Sequence, residues 1–220
     1  ATSIRGLFGQ ADFRADLVAT VLAWLIATLL AVAIAVPAGL LLLLLLLLGS
    51  VPVLRTATSA VVEFLRPVPS VTLIPLVLVA FGEGAQTKII LATFASVWPI
   101  LFNVVHGLQE VEPRFVDTAR TYRTGRLRTA LTVRLPYITS FVLTGIRLAA
   151  AICLVVTMST EFLTDSGTGF GSYIVLNGEQ TGDMSMVIGG VVLAGILGCF
   201  VNALLHRAHN RWFGWAEGGQ

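Results

Sequence analysis

Between residues 112 and 136 this chain carries six arginines, at 114, 120, 123, 126, 128 and 134, although the sequence around them is mostly apolar. A block so charged cannot rest in hydrocarbon, and strongly apolar segments flank it on both sides. It therefore marks two membrane boundaries at once, and its arginine excess assigns it to the cytoplasmic side. The block reads as helix. Pro113 suits a first helical position, where its missing N–H costs nothing, and Asp117 and Arg120 stand three residues apart on one face. Phe115, Val116, Ala119 and Tyr122 make an apolar stripe in the first half. Leu127, Ala130, Leu131 and Leu135 make another in the second, opposite Arg126, Arg128, Thr129 and Thr132. Gly125 is the expected turn between the halves, and Pro136 is expected to stop the second helix and open the next span.

Hydrophobic residues form 56% of the chain and charged residues 12%, half the charged fraction of about 25% usual in soluble domains. A soluble domain is thereby excluded, and a net charge of +2 gives no reason to expect a nucleic-acid partner. A crossing needs about 20 apolar residues. On that measure residues 1–220 form one membrane domain with five spans, at about 17–48, 61–81, 89–106, 138–163 and 186–205. The cytoplasmic loop is 112–136 and the extracytoplasmic loop 164–185. Pro37 and Gly39 are expected to bend the first span, which ends in the leucine tract 40–48. The tail, with His206, Arg207 and Arg211, falls on the arginine-rich side and agrees with that orientation. The first span then begins outside, which leads us to expect a further span before it. Cys153 and Cys199 read as small core residues.

Catalytic motifs are missing. Lys88 is the single lysine and follows Thr87, so no Gly-Lys-Ser/Thr phosphate loop exists here. There is no His-Glu-x-x-His, no Gly-x-Ser-x-Gly and no paired zinc ligands, so neither a catalytic residue nor a metal site is expected. Ionisable groups inside spans are costly and mark functional positions. Glu63, Arg66, Arg147 and Glu161 are such groups. Arg66 and Arg147 are placed near the inner ends of their spans, where snorkelling to headgroups, pairing with Glu63 and attraction of an anionic substrate all stand open. Glu161 lies near an outer end, either interfacial or on a path. Pro67 and Pro69 break the second span, and broken helices line paths more readily than they face lipid. The glycine-rich outer loop, 165–183, is suited to a binding protein or to simple connection.

The loop's spacing resembles the coupling signature of the membrane subunits of bacterial ABC importers: Glu-Ala-Ala, three residues, Gly, nine residues, Ile, any residue, Leu-Pro. Asp117-Thr118-Ala119 stand for the first three positions and Val133-Arg134-Leu135-Pro136 for the last four. The signature glycine falls on Arg123, with Gly125 two residues later, which leads us to expect a shifted turn. Residues 65–82, 98–114 and 143–163 are similar to the nitrate, sulfonate and taurine branch. The resemblance implies an all-α integral-membrane chain with the type I importer permease fold, usually six spans per subunit, in a bacterial inner membrane. It implies a second permease, identical or paralogous, an extracytoplasmic substrate-binding protein, and two separate ATPase subunits that hold ATP and magnesium while this chain binds no cofactor. It assigns ATPase coupling to Asp117, Thr118, Ala119, Arg120, Tyr122, Arg123, Gly125, Leu135 and Pro136, and suggests Arg66, Pro67, Pro69, Arg147 and Glu161 for the translocation path. Cargo in that branch is a small anion such as nitrate, a sulfonate or taurine; other relatives carry bicarbonate, or vitamin or pyrimidine precursors. A membrane scaffold and a secondary carrier or channel are the competing classes. Carriers often show internal repeats and paired mid-membrane charges, and this sequence shows neither.

Overall fold

The computed structural model describes residues 11–48, 70–164, 168–181 and 184–213, and among them every regular element is a helix. In chain order these are α1 (Ala11–Leu48), a 3-10 turn (Ser70–Leu73) running into α2 (Ile74–Phe81), α3 (Ala85–Glu110), α4 (Pro113–Thr121), α5 (Arg126–Thr129), a π turn (Ala130–Arg134), α6 (Leu135–Leu163), α7 (Phe170–Thr181) and α8 (Met184–Phe213). Among the described residues, four stretches are long and apolar enough to cross a membrane: Phe13–Leu41, Ala85–Glu110, Ala130–Leu163 and Val187–Leu204. Of the expected second span, only the part from Ser70 onward is described. Its eight-residue α2 covers about 12 Å at 1.5 Å per residue, less than one crossing. Glu63, Arg66, Pro67 and Pro69 lie outside the described residues. Pro37 is accommodated within α1, and Pro99 within α3.

Where α1 meets α3 and α6, the core includes a seam of small side chains. Lipid tails are as apolar as leucine, so helices in a bilayer gain little from hydrophobic burial against each other and depend on close backbone approach and interhelical hydrogen bonds. Ala23, Ala27, Ala31 and Ala35 recur every four residues along α1 and are all buried, facing α3 and α6. Polar groups stitch the seam. Trp24 Nε1 donates to the Ala150 carbonyl at 2.8 Å, Ser96 Oγ to that of Ala149 at 3.2 Å, and Thr93 Oγ1 to that of Ala27 at 3.4 Å. Gly145 is needed for the approach of α6 to α3: a Cβ there would stand 3.0 Å from the Ile100 Cα and 3.2 Å from the Pro99 carbonyl oxygen, backbone atoms that cannot swing away.

Two expectations are corrected here. The outer loop contains α7, whose Phe170, Tyr173 and Ile174 are buried at helical spacing against the bundle. Cys153 is buried as expected, but Cys199 lies on the exposed face of α8, beside Ile196 and Phe200.

Candidate functional site

At the arginine-rich end, α4 and α5 form a short helical hairpin. Pro113 opens α4, and Glu112 just before it holds Arg114 by a 2.8 Å ion pair. The turn that ends α4 is centred on Arg123, with φ at 53°, and the Thr124 amide reaches back to the Ala119 carbonyl at 3.1 Å. That six-to-one bond around a left-handed residue is the usual helix stop, which normally takes glycine. The expected shift of the turn to Gly125 does not occur. The left-handed residue stands at the signature's own glycine position, with an arginine bearing the strain, while Gly125 faces open space. Thr124 then ties the two helices together, its hydroxyl bonding the Ala119 carbonyl and standing 3.1 Å from the Thr129 hydroxyl. Because a left-handed L-residue costs about 1–2 kcal/mol, Arg123→Gly should slow hydrogen exchange of the Thr124 amide about fivefold or more, whereas Gly125→Ala should leave it unchanged. Equal rates in Arg123→Gly and the parent chain would show that the turn carries no strain.

Within the hairpin only Ala119, Thr129 and Ala130 of the described side chains are buried. Asp117, Thr118 and Arg123 are exposed. Half of the Phe115 surface, 79% of Tyr122 and over half of Leu131 are exposed as well. Phe115 and Tyr122 are seven residues apart and so share a helix face. Half of the apolar stripe is thus turned outward. After the hairpin the backbone widens into the π turn, where the Leu135 N–H bonds the Ala130 carbonyl five residues back, and Pro136 follows in the first turn of α6.

Arg147 is the thirteenth residue of the 29-residue α6, near its middle rather than at its inner end as expected. Its Nε donates to Asn202 Oδ1 of α8 in a long, 3.5 Å hydrogen bond at the exposed side of the subunit. Glu161 is elsewhere. It lies fully buried near the far end of α6, where Lys88 Nζ of α3 meets Oε1 at 2.8 Å and Thr20 Oγ1 of α1 meets both carboxylate oxygens at 2.9 and 2.8 Å. The same carboxylate accepts the Gly171 N–H at 3.0 Å. Asp16 accepts the Gly169 N–H at 3.0 Å and Thr20 Oγ1 the Phe170 N–H at 2.8 Å, so three spanning-helix side chains cap three successive amides at the start of α7. Helix N-termini carry unpaired N–H groups and favour anions, which explains a carboxylate there. Lys88 also donates to the Thr168 carbonyl at 3.2 Å. Gly169 is left-handed at φ 121°, and a Cβ there would collide with the Glu161 carboxylate. The sequence reading overlooked Lys88, Thr20 and Asp16. A lone lysine at the edge of an apolar run and a lone glutamate in another were the available signal.

The fold and its ends define a multi-span membrane protein with a buried ion-pair network at one end and a hairpin with exposed aromatic side chains at the other. The chain belongs to the family of binding-protein-dependent transport system inner membrane components, whose model matches residues 35–213. It is similar to a nitrate import permease protein of Leptolyngbya laminosa, at 28% identity over 72% of this chain and 56% of the relative. An aliphatic sulfonates transport permease protein of Escherichia coli (strain K12), described as putative, is 26% identical over 70% of this chain and 58% of its own length. A bicarbonate transport system permease protein of Synechocystis is 24% identical over 71% of this chain and 55% of the relative. The chain thus spans little more than half the length of these relatives. The MetNI methionine ABC transporter, in an inward-facing conformation, shares the fold: a chain of it matches at a TM-score of 0.68 and 19% identity, over 90% of this chain and 94% of that one.

Proposed function

We propose that this chain is the membrane permease subunit of an ATP-driven importer. It pairs with a second permease, receives substrate from an extracytoplasmic binding protein and draws its energy from separate ATPase subunits, which hold ATP and magnesium. The observation that carries the reading is the hairpin: Phe115 and Tyr122 expose aromatic surface on a helix too polar to enter the bilayer, at the spacing of an ATPase-coupling signature. Large exposed apolar groups of this kind mark docking surfaces. Around them Asp117, Thr118, Ala119, Arg120, Arg123 and Gly125 complete the contact with the ATPase, and Leu135-Pro136 pass its motion into α6. Alternating access requires only that ATP binding and the hairpin favour the same one of two states.

The cargo we propose is a small anion. Nitrate, sulfonates and bicarbonate are the cargoes that the relatives' names carry. Arg147 near the middle of α6, beside Asn202, supplies a cation and an amide from two helices toward such a solute. Glu161, occupied by Lys88, the Thr20 hydroxyl and the Gly171 amide inside the subunit, serves the scaffold in this reading rather than the path.

Gentle purification of the tagged chain followed by native mass spectrometry tests the class: two permeases with two ATPase subunits are expected. A chain that emerges alone or with other partners would return the scaffold or carrier reading. For the path, Arg147→Ala should lower uptake of labelled nitrate, taurine or bicarbonate at least tenfold with the complex intact. Undiminished uptake of the cargo would remove Arg147 from it.

A further inference from the structure

The two ends of the subunit differ in how they can move. At the far end, local motion would break a buried ion pair and uncap α7 (Phe170–Thr181). At the hairpin end, three features meet: the π turn Ala130–Arg134, Pro136, and a cavity of about 30 Å³ lined by Leu135, Ile138, Thr139 and Val142 with Val36, Gly39, Leu40 and Val104. The proline accounts for the π turn. In a straight α-helix its ring would strike the Thr132 carbonyl four residues back, and widening the turn relieves that contact. Proline also isolates the defect. Since Pro136 has no N–H, a change of register on its N-terminal side breaks no hydrogen bond of α6, so the hairpin's motion reaches α6 through Leu135 and Pro136 as a displacement of the whole helix. Moving the Leu135 N–H from Ala130 to the Leu131 carbonyl exchanges one bond for another of similar worth. The cavity, about the volume of one water molecule, leaves space beneath Leu135 for that rearrangement.

We infer that the π turn is the hinge on which the α4–α5 hairpin swivels against α6 when ATP is bound, while the Lys88–Glu161 end moves as a rigid block. This rests on the permease reading above. Spin labels at Thr121→Cys and Thr144→Cys, in a Cys153→Ala, Cys199→Ala background, bracket the turn at exposed positions. Pulsed electron spin resonance on the assembled complex, nucleotide-free and trapped with ATP and vanadate, reads the distance between them. A change of about 3 Å or more, the rise of two helical residues, is expected across the turn. A second pair within the far end, at Gln86→Cys and Leu163→Cys, should stay fixed. Val142→Ile, which fills the cavity, should at least halve the first change. A distance across the turn that holds constant in an assembled, nucleotide-responsive complex would overturn the hinge and leave the permease reading standing. Failure of any ATPase to co-purify would overturn both.

Discussion

Glu161→Ala should be among the most damaging single substitutions in the chain, costing about 4 kcal/mol or more, since breaking a buried ion pair by removing one partner costs about 3–5 kcal/mol. The change leaves the Lys88 ammonium buried with only the Thr168 carbonyl among its named contacts. It also takes an acceptor from Thr20 and from the Gly171 amide. Lys88→Met should cost less, about 3 kcal/mol, because the carboxylate keeps Thr20 and the α7 amide as donors. The double variant Lys88→Met, Glu161→Gln is the informative one. It removes both charges, and the side-chain amide oxygen it places at position 161 can still cap α7. Replacing a buried pair by neutral groups is often close to neutral, so the double variant should lie within about 1 kcal/mol of the parent, while Lys88→Met and Glu161→Gln alone should each cost about 3 kcal/mol, a coupling of about 5 kcal/mol. Unfolding in mixed detergent micelles, read as a double-mutant cycle, measures it. Losses that simply add would mean that Lys88 and Glu161 do not act as a pair.

That network also marks where the sequence stopped being legible. Four of the five spans were readable because a lipid-facing helix must be apolar along its whole length, and each run, such as 89–106 inside α3 or 138–163 inside α6, announces itself locally. The span expected at 61–81 is described only from Ser70 onward. The hairpin was readable because a helical stripe and a fixed spacing are local too. Lys88 and Glu161 are 73 residues apart and meet only after α3 and α6 pack; nothing in either neighbourhood names the other. The same holds for Asp16 and Thr20 against Gly169 and Phe170, about 150 residues away. Helix α7 is a different case. Its signal was present in Phe170, Tyr173 and Ile174 at helical spacing, but glycines at 167, 169 and 171 drew the reading toward loop. The structure uses two of those glycines to let the chain pass over the Glu161 side chain, so they report a close approach rather than disorder. Arg147 follows the start of the apolar run at Ile138 by nine residues, which suggested an inner end; α6 begins three residues earlier, at Leu135, which brings Arg147 nearer the middle of the helix.

Removing Phe115 and Tyr122 together should weaken ATPase binding about a thousandfold while leaving the fold of the permease intact. Buried aromatic anchors at an interface are each worth about 2 kcal/mol or more, and 4 kcal/mol is close to three decades in affinity. In the isolated chain both side chains are at least half exposed and contribute little packing, so Phe115→Ala, Tyr122→Ala should unfold at nearly the parent temperature. Arg114→Ala is the matched control. It breaks only the exposed pair with Glu112, and surface pairs are worth about 0–1 kcal/mol. ATPase binding within threefold of the parent in the double variant would remove these aromatics from the interface. One competing account needs its own arm, since an amphipathic helix can also lay its apolar face on the headgroups. The two accounts diverge when the ATPase is absent. With Cys153 and Cys199 replaced by alanine and Phe115 by cysteine, a membrane-impermeant maleimide should label the cysteine quickly in stripped membranes and at least tenfold more slowly once the ATPase is bound. Slow labelling in the stripped membranes would mean that lipid already covers this face, and the aromatics would then anchor the hairpin instead of docking a partner.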